Sequence, residues 1–168
     1  MLSLGLVAGC GQAGVPPAGE ASPAVASPSP AQTDPSSAKP TGSPSTTPGQ
    51  PGTTVVAAAS HVGAILFDAT GQAIYIFDVE TTTSPRCYDA CAEAWPPVLT
   101  AGAPQAGQGV NGALLGTTPR AGGTVQVTYG GHPLYFYAHE GKHEVKCHDV
   151  FLNGGNWYAV TPDGRRAP

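Results

Sequence analysis

The sequence predicts an all-β fold: one small domain built from two tandem, pseudo-equivalent β-hairpin units, with one short helical turn. Three observations carry that reading. First, Tyr75-Ile76-Phe77, Glu80 and Cys87 recur sixty positions later as Tyr135-Phe136-Tyr137, Glu140 and Cys147, and Gly71 recurs as Gly131. Trp95 with Val98 recurs as Trp157 with Val160 after a two-residue slip. Self-similarity at a fixed period means two copies of one structural unit. Second, short runs rich in β-branched and aromatic residues alternate with turns that contain Gly, as strands do. Third, only the stretch 88–94 (Tyr-Asp-Ala-Cys-Ala-Glu-Ala) has helical composition, enough for one or two turns.

In chain order, residues 62–67 and 73–77 form a hairpin around the turn Asp68-Ala69-Thr70-Gly71-Gln72. After the helical turn, Trp95-Pro96-Pro97-Val98 is a short closing strand that its prolines confine to a sheet edge or strand start. Residues 114–118 and the turn Arg120-Ala121-Gly122-Gly123 add a further hairpin arm. Residues 125–129 alternate, Gly130-Gly131 turns, and residues 133–137 return. Trp157-Tyr158-Ala159-Val160 closes the second unit.

The residues able to build a core are unevenly placed. All four Phe, two Trp and six Tyr lie at Phe67 or later. Residues 11–54 are Ala, Ser, Thr, Pro, Gly and Gln with few charges and no ring, and bury too little apolar area to offset a backbone ordering cost of about 1–2 kcal/mol per residue. They read as a disordered stalk. Its prolines favour polyproline II, at about 3 Å per residue, or of the order of 100 Å in all. The folded domain is then 55–168.

Ahead of the stalk, Val7-Ala8-Gly9-Cys10 closes an apolar stretch in the small-residue pattern that a lipoprotein signal peptidase accepts. The expectation is a leader over 1–10, lipidation of Cys10 and a membrane held through the lipid. Residues 1–9 carry no Lys or Arg and are short for a charged region plus apolar core, so the translation start is expected upstream of Met1. A net charge of −4, with Arg86, Arg120, Lys142, Lys146, Arg165 and Arg166 the only Lys or Arg of the domain, excludes the basic stripe that nucleic-acid binding needs.

Taken together, Tyr75-x-Phe77-x-x-Glu80, Cys87-x-x-x-Cys91-Ala92-x-x-Trp95-Pro96-Pro97, Tyr129-x-Gly131-x-Pro133-Leu134-Tyr135 and Trp157-Tyr158-x-Val160-x-Pro162 closely resemble the secreted-repeat lipoproteins. These are bacterial lipoproteins with a Tyr-x-aromatic-x-x-Asp motif. The resemblance spans about residues 60–164. It implies an exported, extracytoplasmic, membrane-anchored domain of no established activity, and a Cys87–Cys91 disulfide. The motif residues here are Tyr75, Phe77, Glu80, Trp95, Pro96, Pro97, Tyr135, Tyr137, Glu140 and Trp157. Glu80 and Glu140 stand where the motif has Asp, and the loop before Trp157 carries His, Lys and Cys in place of a Gly-rich stretch.

With Cys10 given to lipid, Cys87, Cys91 and Cys147 are an odd set for an oxidising compartment, and one disulfide leaves one thiol. Pairing of Cys147 with Cys87 or Cys91 is the alternative, and would staple the two units together. Four of the five histidines fall between His132 and His148. His139, His143, Cys147 and His148 are the candidate ligands for a transition metal or haem, since imidazole and thiolate together suit zinc, copper or haem iron. The competing reading of that window is a solvated surface loop carrying Glu140, Lys142, Glu144 and Lys146. Thioether copper trafficking is disfavoured, since the only Met is Met1, which the expected leader removes. A free Cys147 beside His143 or His148 would have a lowered pKa and redox or metal-binding character.

Tyr75 with Phe77, and Tyr135 with Tyr137, sit at strand period two and read as core, their hydroxyls needing partners that Glu80 and Glu140 could supply. Asp78, Glu80, Asp89 and Glu93 otherwise read as solvated or capping acids near a turn. No phosphate loop, dinucleotide fingerprint or serine elbow occurs, and no catalytic residue is assigned. The expectation is a cell-surface binding or structural module with a protein or small-molecule partner. A metal- or haem-binding, redox lipoprotein is the alternative.

Overall fold

The computed structural model describes residues 51–168 of the 168-residue chain. Lipidation at Cys10, the leader 1–10 and the stalk through residue 50 lie outside the described residues. Nine strands are described: β1 (Thr54–Ser60), β2 (Gly63–Asp68), β3 (Tyr75–Phe77), β4 (Gln105–Ala106), β5 (Leu115–Pro119), β6 (Val125–Tyr129), β7 (His132–Pro133), β8 (Val150–Leu152) and β9 (Gly155–Ala159). They form three three-stranded sheets, β2-β1-β4, β3-β9-β8 and β5-β6-β7. The one α-helical segment among the described residues, α1 (Ala90–Ala94), falls inside the stretch of helical composition and ends at Trp95, because the prolines that follow disfavour helical backbone before them. Among the described residues no helix is long and apolar enough to cross a membrane.

The first hairpin differs from expectation. The Asp68 turn forms as read: the Asp68 carboxylate accepts from the backbone N–H of Thr70 and Gln72, and the chain returns at the Phe67–Ala73 bridge. The long ladder of β2, however, runs antiparallel to β1, from Val55 opposite Asp68 to Ser60 opposite Gly63. β3 leaves to pair with β9, Phe77 opposite Trp157. All three β3 residues are buried, which requires cover on both faces and makes β3 a poor hairpin edge. The domain also begins earlier than residue 55. Thr54 is already in β1, while Thr53 donates its N–H to Thr100 Oγ1 at 3.0 Å and its hydroxyl to the Leu99 carbonyl at 2.6 Å.

The second unit follows its reading closely. β5 and β6 pair across the Arg120 turn, β6 returns through Gly130-Gly131 into β7, and Pro97 forms only an isolated bridge, to Tyr135. β8 was not expected. It joins β9 through Asn153-Gly154, both at positive φ (53° and 87°), as a two-residue hairpin turn requires.

The two units interlock with the same hydrogen bonds. Tyr75 and Tyr135 exchange backbone bonds in both directions, at 2.8 and 2.9 Å. Around them Ile74 N–H donates to the Leu66 carbonyl and Leu134 N–H to that of Val127, both at 3.0 Å. Leu66 N–H donates to the Val160 carbonyl and Val127 N–H to that of Val98, both at 2.8 Å. Those same residues, Leu66, Ile74, Val98, Val127, Leu134 and Val160, join Val55, Ile76 and Tyr129 in the apolar core. The core thus lies on the junction between the repeats, so one unit alone would leave its own half of it wet.

Candidate functional site

The repeated motif meets at that junction, and its polar ends cross over. Tyr75 donates its hydroxyl to Glu140 at 2.8 Å, and Tyr135 donates to Glu80 at 2.7 Å. Each tyrosine of one unit is therefore satisfied by the acid of the other. Glu80 also accepts from the backbone N–H of Arg86 (2.6 Å) and Cys87 (3.2 Å), and Glu140 from that of Lys146 (3.0 Å), so the loop after each acid is folded around its carboxylate. Glu80 is therefore not the solvated turn acid that its neighbours suggested: it is 1% exposed, and Glu140 is 8% exposed. Burial pushes both carboxyls above the ordinary glutamate range, against the lowering pull of the amides they accept. Burial, and then the facing carboxylate, raise both phenols as well. Glu80 Oε2, Glu140 Oε1 and Trp95 Nε1 have no hydrogen-bond partner among the described residues.

Between the two locks runs a column of rings. Phe77 stacks on Trp157 (centroids 4.2 Å apart, planes 7° apart), Trp157 on Trp95 (3.9 Å, 1°), and Tyr137 leans on Trp95 (4.8 Å, 42°). Tyr75 and Tyr135 present their edges to Trp95 and Trp157. The column alternates residues of both units. Trp95 and Trp157 are fully buried, which makes the aromatic set core and not a ligand platform.

Cys87 and Cys91 form a disulfide, with Cα atoms 5.2 Å apart. Cys147 bonds neither of them, so no disulfide staples the two units together, and it is fully buried, unlike the accessible thiolate of a redox or metal site. Its reading as a low-pKa redox or metal-binding thiolate falls with that. Sequence reasoning missed the buried cation beside the disulfide. Arg120 donates to the Cys87 carbonyl and to Gln126 Oε1, both at 2.7 Å, and lies 4.3 Å over the Tyr88 ring. Gln126 passes the chain of bonds on to the Leu134 carbonyl at 2.7 Å. The one available signal was Gln126, a large polar residue flanked by two valines on a strand.

The histidine window does not converge. His139 contacts the Tyr137 ring by its edge. His143 donates its N–H to the Gly71 carbonyl at 2.7 Å and lays its ring near Phe67. His148 accepts the Ala159 N–H on Nδ1 and donates from Nε2 to the Pro168 carbonyl, so both of its nitrogens are spent on backbone. Among the described residues no three His, Cys, Asp or Glu are grouped as metal ligands. With Cys147 fully buried and both His148 nitrogens engaged, this donor set does not fit a metal or haem. Lys142, Glu144 and Lys146 are solvent-exposed, as a surface loop demands, whereas Glu140 is not.

Beside a hollow of about 440 Å³ lined by Thr161, Asp163, Arg165, Arg166 and Pro168, two further surface hollows are found among the described residues. One, of about 530 Å³, is lined by residues 51–53, 99–101 and 123–125 and contains no titratable side chain. The other, of about 350 Å³, lies over the register pair Ile76–Tyr158 and is walled by Asp78, His132, Gly164, Arg165 and Arg166.

Fold and site together define an all-β, disulfide-bonded domain of two interlocked units whose shared motif is structural. No family model matches the chain, and neither a curated protein nor a solved structure is significantly similar to it.

Proposed function

We propose that this chain is an extracytoplasmic, lipid-anchored binding module of the secreted-repeat lipoprotein kind, carried away from the membrane on its Pro/Ser/Thr stalk. The observation that carries this reading is the crossed pair Tyr75–Glu140 and Tyr135–Glu80. It draws the motif's acids and phenols into the core and leaves recognition to the outer surface. The Cys87–Cys91 disulfide supports an oxidising location, where such bridges persist. Cys10 supplies the anchor in this reading, and the partner is a protein or small molecule met outside the cell.

The test is to express the chain in a bacterium behind a complete lipoprotein leader, separate the detergent phase and analyse the Cys10 peptide by mass spectrometry. Partition into detergent, a diacylglyceryl thioether on Cys10 and loss of both in Cys10→Ser are the expected result. Recovery of Cys10 in a disulfide, or of the wild-type protein in the aqueous phase, would overturn the anchor.

A further inference from the structure

We infer that the hollow over Ile76 and Tyr158 is a binding site for a small monocarboxylate, with Arg166 as its anion-binding group. This rests on reading the chain as a binding module and names the ligand class for one surface of it.

Four observations converge there. Ile76 and Tyr158 are register partners on adjacent strands of one sheet, so the floor is set by the β3–β9 ladder and is rigid. The Arg166 guanidinium lies 5.0 Å over the Tyr158 ring, an arrangement that holds its plane and leaves its N–H edge as a fork for two oxygens. The other charges of the wall are already committed. Arg165 is ion-paired with Asp163, and both Asp78 oxygens accept from Asn156. Arg166 has no ion pair among the described residues. His132 donates Nδ1–H to the Glu80 carbonyl at 3.0 Å, which fixes its tautomer and leaves Nε2 to accept from a ligand hydroxyl or amide.

Charge count selects the ligand. One unpaired guanidinium beside a standing carboxylate suits a single negative charge, whereas Asp78 would repel a phosphate dianion. The volume of about 350 Å³ sits near the low end for small-molecule pockets, roughly 300–1,000 Å³, and suits a compact molecule with one ring. The hollow of about 530 Å³ lacks any charged side chain to orient a ligand.

The experiment is a two-dimensional amide NMR titration of the full chain with benzoate, and with benzamide as its uncharged counterpart. Benzoate is expected to shift the resonances of Ile76, His132, Tyr158, Gly164 and Arg166 saturably, with benzamide at least about tenfold weaker. Arg166→Gln should weaken benzoate by a similar factor with the spectrum otherwise unchanged, and Arg165→Gln should leave binding intact. No saturable shift with benzoate, equal shifts with benzamide, or undiminished binding in Arg166→Gln would overturn the site. Because the Cys10 analysis reads the anchor independently, a negative titration on a lipidated chain removes this pocket and leaves the module reading standing.

Discussion

The Tyr75 hydroxyl donates to a carboxylate sixty-five residues further along the chain, Glu140, while Tyr135 reaches back over fifty-five residues to Glu80. Each repeat thus completes the other. Tyr75→Phe and Tyr135→Phe remove one donor from a buried carboxylate without changing ring volume. Each acid keeps its backbone amide donors, so each substitution should lower stability by about 0.5–3 kcal/mol, the range for losing one hydrogen bond to a neutral or charged partner. The two losses meet at the Tyr75–Tyr135 backbone pair, so they should be non-additive. Urea denaturation of the two single variants and the double variant measures this. Additive losses would show that the two locks act independently.

Gly71 sits at φ 92°, and a Cβ there would fall 2.6 Å from the His143 ring. Gly71→Ala therefore carries two costs, a left-handed backbone worth about 1–2 kcal/mol and a ring that must move. His143 is exposed, so its ring can swing away. His143→Ala in the Gly71→Ala background should recover only the smaller part of the loss in melting temperature. Full recovery would mean that the backbone conformation is not what fixes this glycine.

The Cys87–Cys91 bridge closes a short loop, for which chain entropy gives about 2 kcal/mol. That loop also supplies the Cys87 amide to Glu80 and the Cys87 carbonyl to Arg120. Cys87→Ser with Cys91→Ser should therefore cost more than the loop alone. Arg120→Met, which strands the Cys87 carbonyl and Gln126, should cost less in the disulfide-free background than in the wild type, read from a double-mutant cycle of urea midpoints. Equal costs in both backgrounds would uncouple the two.

Much of this fold was legible because its signals are local. Gly130-Gly131 set the β6–β7 turn, the Asp68 carboxylate built its own turn, and Trp95-Pro96-Pro97 stopped α1. β1 was missed because Val55-Val56-Ala57-Ala58-Ala59 carries no ring and follows directly on the stalk composition. β8 could have been read from Asn153-Gly154 between apolar runs. The crossing of the tyrosine–glutamate pairs is a long-range property. The repeat named all four residues, yet spacing alone cannot say whether a phenol bonds the acid of its own unit or of the other. The histidine window misled for the same reason, since spacing of four along a loop does not decide which way the rings turn.

The buried acids also set a pH dependence whose sign can be worked out. Burial raises the folded-state pKa of Glu80 and Glu140 above the ordinary value of about 4.3. Below that value both folded and unfolded chains hold the protons, and the contribution to stability is fully present. As pH rises, the unfolded chain releases its protons first, and stability falls by about 1.4 kcal/mol per pH unit per group until the folded carboxyls ionise too. The loss therefore lies between the ordinary glutamate value and the raised one. Glu144, held by Lys146 and the Gly141 amide, and Asp163, held by Thr161 and Arg165, are lowered and act in the opposite direction, being lost as pH falls. Both are at the surface, so salt screens them while the buried pair is little affected. Urea midpoints at high salt should accordingly decline as pH rises through the window. Glu80→Gln with Glu140→Gln, which keeps an acceptor for each tyrosine, should flatten that decline. A wild-type midpoint that climbs across the window, or a double variant that keeps the slope, would place the titrating groups elsewhere.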